Sequence, residues 1–234
     1  KEDKGLNGFS YKEVYIEEGR RVLEVNVLPE KYCNFDCIFC PIGRSNNKVD
    51  KQTAFEGHEA ALEELGNRID ESGADLVFIN SKGEAFVNEK LEEIIRFIQS
   101  KGASVRLLTN GYLLGRDEYR RIANICEEVL GEIKVITEDD FRKVQRPVDG
   151  YTIAEYVSNM VSFNRQYDGK FIFEVTIIKG YNDDEESVLK LKHIIDEISP
   201  DKVVVVRMDD DIFRKKLGIS DERFEEITKT LTDN

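Results

Sequence analysis

Little in this chain suits a histidine-built site. It has two histidines, His58 and His193. Both fall in expected helices away from strand ends and read as surface or packing residues, and no histidine-based nucleophile triad is legible. There is no Gly-rich phosphate loop, and no linker or low-complexity segment divides the chain. No apolar run approaches the roughly 20 residues of a membrane-spanning helix. The first eight residues, charged and polar, are unlike a secretory signal. Positive charge is scarce: 34 Lys and Arg stand against 47 Asp and Glu, a net charge of −13. That balance opposes unaided nucleic-acid binding, which depends on neutralising phosphates. Four cysteines, three of them adjacent, do not make a disulfide framework. A reducing, cytoplasmic setting is the expectation.

What is present is a regular alternation of elements. Strands are expected at 21–29, 75–80, 104–110, 129–136, 170–179 and 202–208. Helices are expected at 54–72, 88–100, 116–127, 152–167, 183–198 and 220–231. Asn88 is expected to cap the second of these helices, in which Leu91, Ile94, Ile95 and Ile98 fall on one face. Near-continuous apolar strands alternating with amphipathic helices mean a parallel sheet covered by helices. Residues 1–20 read as a polar N-terminal extension holding a short strand or hairpin near 9–16. Residues 21–234 read as one core domain ending in a helix. The stretch 43–53 reads as irregular.

The chemistry concentrates at Cys33-Asn34-Phe35-Asp36-Cys37-Ile38-Phe39-Cys40. Chance adjacency of three thiols is one reading. Structural zinc is another, but it needs four ligands, commonly in two separated pairs, and no second pair is present. The third is an iron–sulfur cluster on three thiolates, with one iron left open; soft thiolates suit it. Cys126, in an apolar helical run, reads as a buried structural thiol.

The Cys-x3-Cys-x2-Cys spacing, with Phe39 before the last cysteine, resembles the signature of the radical S-adenosylmethionine (SAM) superfamily. The resemblance implies the partial (β/α)6 barrel of the radical SAM core over about residues 21–208. It also implies a [4Fe–4S] cluster on Cys33, Cys37 and Cys40, and SAM bound at the fourth iron. One electron would then cleave SAM to a 5′-deoxyadenosyl radical that abstracts hydrogen from a substrate; the cofactors carry the hard step.

In such a barrel the strand ends carry the site. Phe39 is expected to flank the adenine. Gly83-Glu84, in Asn80-Ser81-Lys82-Gly83-Glu84-Ala85, resembles the superfamily's Gly-Gly-Glu-Pro element, which receives the SAM amino group. Lys82 and Ala85 stand where that pattern has Gly and Pro. Asn110, in Thr109-Asn110-Gly111, resembles a residue near SAM, although Asn-Gly is also a common turn. Lys134, with Ile136 and Glu138 on one strand face, and Glu174, sharing a face with Thr176, are expected on the lumen. A buried Glu174 needs a partner, which Lys134 or Arg207 can supply. The Asp209-Asp210-Asp211 run reads as a solvated turn.

Two blocks, Tyr32 to Arg44 and Val144-Gln145-Arg146-Pro147 continuing through Lys179-Gly180-Tyr181-Asn182 to Pro200-Asp201, resemble the wyosine-synthase-like radical SAM proteins. An electron donor such as flavodoxin or ferredoxin is implied, and no membrane. The substrate stays open between protein or peptide and RNA delivered by a basic partner. Two alternatives stand beside the enzyme: a non-catalytic iron–sulfur scaffold or regulatory protein, and a tRNA-modifying enzyme acting with a basic partner.

Overall fold

Strands form where the sequence runs Val-Leu-Glu-Val-Asn, Leu-Val-Phe-Ile and Val-Val-Val-Val, because β-branched and aromatic side chains pack well on a pleated surface. The computed structural model describes residues 2–44 and 47–233. The chain divides into two units. One comprises residues up to 34, 45–109 and 116–129; the other comprises 35–44, 110–115 and 130 onward.

The first unit holds β1 (Glu2–Lys4), β2 (Ser10–Lys12), β3 (Tyr15–Glu17), β4 (Arg20–Asn26), β5 (Tyr32–Cys33), β6 (Asn47–Lys48), α1 (His58–Ser72), β7 (Leu76–Ile79), α2 (Leu91–Ser100), β8 (Ser104–Thr109) and α3 (Asp117–Ala123). Its strand order is β1-β2-β4-β7-β8, with β3 also on β4. β4, β7 and β8 run parallel, with Glu24 opposite Phe78 and Phe78 opposite Arg106. β2 and β3 pair with β4 antiparallel, so residues expected as an extension add strands to the sheet. β5 and β6 form a separate parallel pair, which places a strand inside the stretch expected to be irregular; Ser45 and Asn46 lie outside the described residues.

β9 (Glu128–Ile133) begins in the first unit and continues into the second. The second unit then runs through α4 (Glu138–Asp140), a π-helical turn (Phe141–Gln145), α5 (Ile153–Asn164), β10 (Lys170–Ile177), α6 (Glu185–Ile198), β11 (Lys202–Arg207), α7 (Arg214–Leu217) and α8 (Asp221–Thr232). Here the strand order is β9-β10-β11, and β10 and β11 are parallel. Side-chain caps start several helices: Thr152 accepts from Glu155 N–H, Asp184 from Ser187 N–H and Ser220 from Arg223 N–H.

Some boundaries differ from the sequence reading. α1 starts at His58, not 54, because Gly57 ahead of it is left-handed (φ 74°). Asn88 does not cap α2. Its Oδ1 accepts the Lys90 N–H in a turn before the helix, and its Nδ2 donates to the Val27 carbonyl. β9 stops at Ile133, so Ile136 and Glu138 are not on the strand. The Lys134 carbonyl instead accepts Asn182 Nδ2, and Glu138 opens α4.

A buried charge network ties the first unit together. The Arg106 guanidinium lies between Glu17 and Glu128, at 2.7 and 2.5 Å, over the Phe78 ring; Arg20 also reaches Glu128 at 2.7 Å. Burial alone would raise the Glu128 carboxyl, but bonds from Arg20 and Arg106 outweigh it and hold it below its ordinary value. Removing one member of such a network strands the others without partners. Arg106→Ala should therefore cost about 3–5 kcal/mol in urea unfolding. A loss below about 1 kcal/mol would mean that the network behaves as an exposed one.

Candidate functional site

The cysteine motif crosses from the first unit to the second. Cys33 ends β5, and its Sγ donates to Asn34 Oδ1 at 3.8 Å. Beyond it, Phe35 is 2% exposed and meets Phe141 and Tyr156 edge-on, at centroid distances of 5.4 and 5.6 Å. Tyr112 and Tyr151, stacked at 3.6 Å, complete its aromatic surround. The backbone of this segment is paired too. Asp36 N–H donates to the Gln145 carbonyl at 3.0 Å and Ile38 N–H to that of Val144 at 2.9 Å; Phe35 bridges Pro147 antiparallel. Arg44 closes the loop with Nε and Nη2 on Asp36 Oδ2, at 2.6 and 2.5 Å. Arg146, left-handed at φ 49°, ends the π-helical turn by donating to the Phe141 carbonyl.

These contacts order the stretch holding Cys37 and Cys40. None of the four cysteines is in a disulfide; Cys33, Cys37 and Cys40 are half-buried, whereas Cys126 is buried. Burial pushes the Cys126 thiol up, and its Sγ faces the Ile122 carbonyl. That is the environment of an inert thiol. Among the described residues, no group of three or more Cys, His, Asp or Glu side chains is gathered closely enough to hold a metal ion. The donor chemistry still fits a cluster: three accessible soft sulfurs in eight residues, on a chain segment fixed by backbone pairing.

The other expected residues fall into two groups. Gly83 and Glu84 are in the first unit. Glu84 N–H donates to the Tyr32 carbonyl at 2.9 Å, and a Cβ on Gly83 would stand 1.9 Å from the same oxygen. Only glycine permits this approach, which brings the Gly83-Glu84 turn against the residue preceding Cys33. The Glu84 side chain is buried; it accepts from Thr109 Oγ1 at 3.0 Å and from Phe86 N–H at 3.3 Å.

Phe39, Asn110, Lys134 and Glu174 are in the second unit. Phe39 is buried, and Asn110 Oδ1 accepts the Tyr112 N–H at 3.1 Å, as in an Asn-Gly turn. Lys134 pairs with Glu132, a partner that the sequence reading missed. Glu132 precedes Lys134 by two positions, so a scan for charged residues at period two would have found it. Burial by itself would lower the Lys134 ammonium, but Glu132, Cys37 and Glu174 together hold it above its ordinary value. Glu174 is pushed up to about 7 by burial and then by Glu132, against the pull of Lys134. Arg207 is not its partner, being taken by Asp209 and Asp221. Asp209 meets Arg207, while Asp210 accepts the Ile212 N–H, so the acidic run is a bonded turn. His58 and His193 face Glu93 and Glu197 across helix surfaces.

Residues 28–191 match the profile of the radical SAM superfamily, which is most of the chain. The chain belongs to the radical SAM superfamily. Membership places it in an enzyme class. Among relatives of this radical SAM protein, a UPF0026 protein of Methanocaldococcus jannaschii is 24% identical over 77% of this chain and 57% of its own. The chain spans from about a third to about three-fifths of the length of curated relatives it matches. Among solved structures, TYW1 with a lysine–pyruvate adduct bound aligns at TM-score 0.68 and 18% identity. That alignment covers 93% of this chain and 74% of TYW1. A radical SAM methyltransferase from Sphaerobacter thermophilus aligns at TM-score 0.66 and 17% identity, over 95% and 65%. These likenesses show the α/β radical SAM core fold. No helix among the described residues is long and apolar enough to cross a membrane.

Glu174 yields a pH prediction. Its carboxyl is raised in the folded state, so its contribution is complete below the ordinary carboxylate range and is lost as pH rises through about 7. Glu174→Gln should gain stability relative to the parent on going from pH 4.5 to pH 8, by on the order of 2–3 kcal/mol. Urea unfolding at the two pH values measures it. Parallel pH dependences in the two proteins would show that Glu174 ionises normally.

Proposed function

We propose that this chain holds a [4Fe–4S] cluster on Cys33, Cys37 and Cys40, binds SAM beside it, and acts as a radical SAM enzyme. The observation that carries the reading is the cysteine motif itself: it lies inside the family-matched stretch, on a segment ordered by the Phe35 aromatic surround and the pairing with Val144 and Gln145. When bound, the two cofactors supply one-electron cleavage of SAM to methionine and a 5′-deoxyadenosyl radical that takes hydrogen from a substrate. The chain's own part is to hold and orient. Glu84 receives the SAM amino group on a turn fixed by Gly83, Lys134 attracts the carboxylate, and Asn110 and Glu174 add polar contacts. Phe39 packs against the adenine. A low-potential electron donor of the flavodoxin or ferredoxin kind is the partner, and the substrate is a protein, a peptide or RNA.

Lys134 is a poor candidate for the adduct chemistry of the TYW1 structure. Imine formation needs a neutral amine, favoured by desolvation or a neighbouring cation. Lys134 instead pairs with Glu132, which keeps it charged.

Anaerobically reconstituted protein should carry about four irons per chain. Reduced with dithionite or a flavodoxin system, it should release 5′-deoxyadenosine from SAM, slowly without substrate. Cys33→Ala, Cys37→Ala and Cys40→Ala should each lose iron and product, while Cys126→Ala should keep both. A reducible cluster that binds SAM without yielding product, even with cell extract present, would favour the scaffold alternative.

Glu84 is tested separately. Glu84→Gln keeps the side-chain shape but loses the charge-assisted bond, so SAM should bind about tenfold to a hundredfold more weakly. Iron content should be unchanged. Equal affinity by calorimetry in cluster-replete variant and parent would remove Glu84 from the site.

A further inference from the structure

The Val144-Gln145-Arg146-Pro147 run lends its backbone to the cysteine segment, yet one of its side chains has no evident role. Gln145 is 0% exposed, and neither its Oε1 nor its Nε2 has a hydrogen-bond partner. Among the described residues, no other buried amide is unpaired at both atoms. Both atoms are sealed from solvent, so bulk water does not satisfy them either. An unpaired polar group in the interior is destabilising, and a folded protein keeps few of them. Two further irregularities sit at the same place. Gln145 ends the π-helical turn, and Arg146 after it is left-handed. π-Helical turns and strained backbone both collect at functional sites.

Across the backbone, Gln145 meets the motif itself. Asp36 N–H is shared between the Gln145 and Arg146 carbonyls, at 3.0 and 3.2 Å, and Ile38 N–H donates to the Val144 carbonyl at 2.9 Å. Cys37 lies between these two donors. One such bond sets the paired Cα atoms about 5 Å apart, within the span of a glutamine side chain. Thiolate and sulfide sulfurs accept hydrogen bonds from amide N–H groups. These bonds favour the more negative, reduced state of a cluster and are among the levers that set its potential. Among the described residues no three donor side chains are gathered on a common point, so loading a cluster has to turn the cysteine side chains.

We propose that Gln145 is a positioning residue for the cluster: its carboxamide, buried and unpaired before loading, donates through Nε2 to the sulfur of Cys37 once the cysteines close on iron. The amide then destabilises the iron-free protein and stabilises the loaded one. The inference rests on the reading that Cys37 ligates the cluster. It requires effects of opposite sign in the two states, whereas a packing role would give the same sign in both.

The test replaces the amide by apolar side chains of similar size, in Gln145→Leu and Gln145→Met. Without iron, urea unfolding should place both variants at or above the parental midpoint, because an unpaired amide has left the interior. After anaerobic reconstitution, both should release iron to a chelator about tenfold faster than the parent, the effect of one lost hydrogen bond to a charged acceptor. Redox titration without SAM, followed by electron paramagnetic resonance, should place their cluster midpoint at more negative potential. If both iron-free variants unfolded at lower urea, or failed to fold, the proposal would be overturned, since the amide would then be bonded already in the absence of iron. Iron-replete variants with the parental release rate or the parental redox midpoint would overturn it as well. Parent protein that took up no iron would instead overturn the cluster reading, and this inference with it.

Discussion

The site depends on backbone pairing between the cysteine segment and the last residues of the π-helical turn. A segment carrying two reactive sulfurs cannot be ordered by those sulfurs before a ligand arrives. Here the ordering comes from elsewhere. Asp36 and Ile38 donate to the carbonyls of Gln145 and Val144, and Phe35 is buried among Phe141, Tyr151, Tyr156 and Tyr112. The hydrogen bonds fix direction, while the aromatic burial supplies most of the free energy. Asp36 and Arg44 then shut the loop across Cys37 and Cys40. The left-handed Arg146 belongs to the same device, since it turns the chain where Gln145 and Val144 present their carbonyls.

A second constraint is charge. Each unit carries ionisable groups where apolar packing would be expected, and each satisfies them differently. In the first, Arg106 is matched by Glu17 and Glu128, and Glu128 is shared with Arg20, so the network reads as structural. In the second, Lys134 is paired with Glu132, and Glu174 is driven toward neutrality. Ionisable groups displaced from their ordinary values by burial and by specific neighbours are where chemistry is most often found. That asymmetry supports the roles proposed for Lys134 and Glu174.

Much of the architecture was legible in the residues. The alternation of apolar strands with amphipathic helices predicted the α/β class, and Thr152, Asp184 and Ser220 start their helices as capping chemistry requires. The cysteine spacing carried the family. Less legible was whatever depended on a partner distant in the chain. Asn88 looked like a helix cap until Val27 claimed its amide. Glu138 looked like a strand residue, but its carboxylate accepts the Ile153 N–H. Glu132 is the exception: it lies two residues before Lys134, and period two alone puts both on one face.

By itself, then, the sequence determined the element types, the three-thiol motif and the family, because these follow from local periodicity and from spacing within a few residues. Only the tertiary structure decided that residues 144–147 are the dock for the cysteine segment, that Gly83 must be glycine because the Tyr32 carbonyl occupies its Cβ position, and that Lys134 answers to Glu132 rather than to Glu174 alone. The first two are contacts between residues far apart in the chain; the third is a balance among charges brought together from two strands. Backbone carbonyls have no residue-type signature, and the balance between burial and Coulomb attraction at a lysine depends on distances that no one-dimensional pattern encodes.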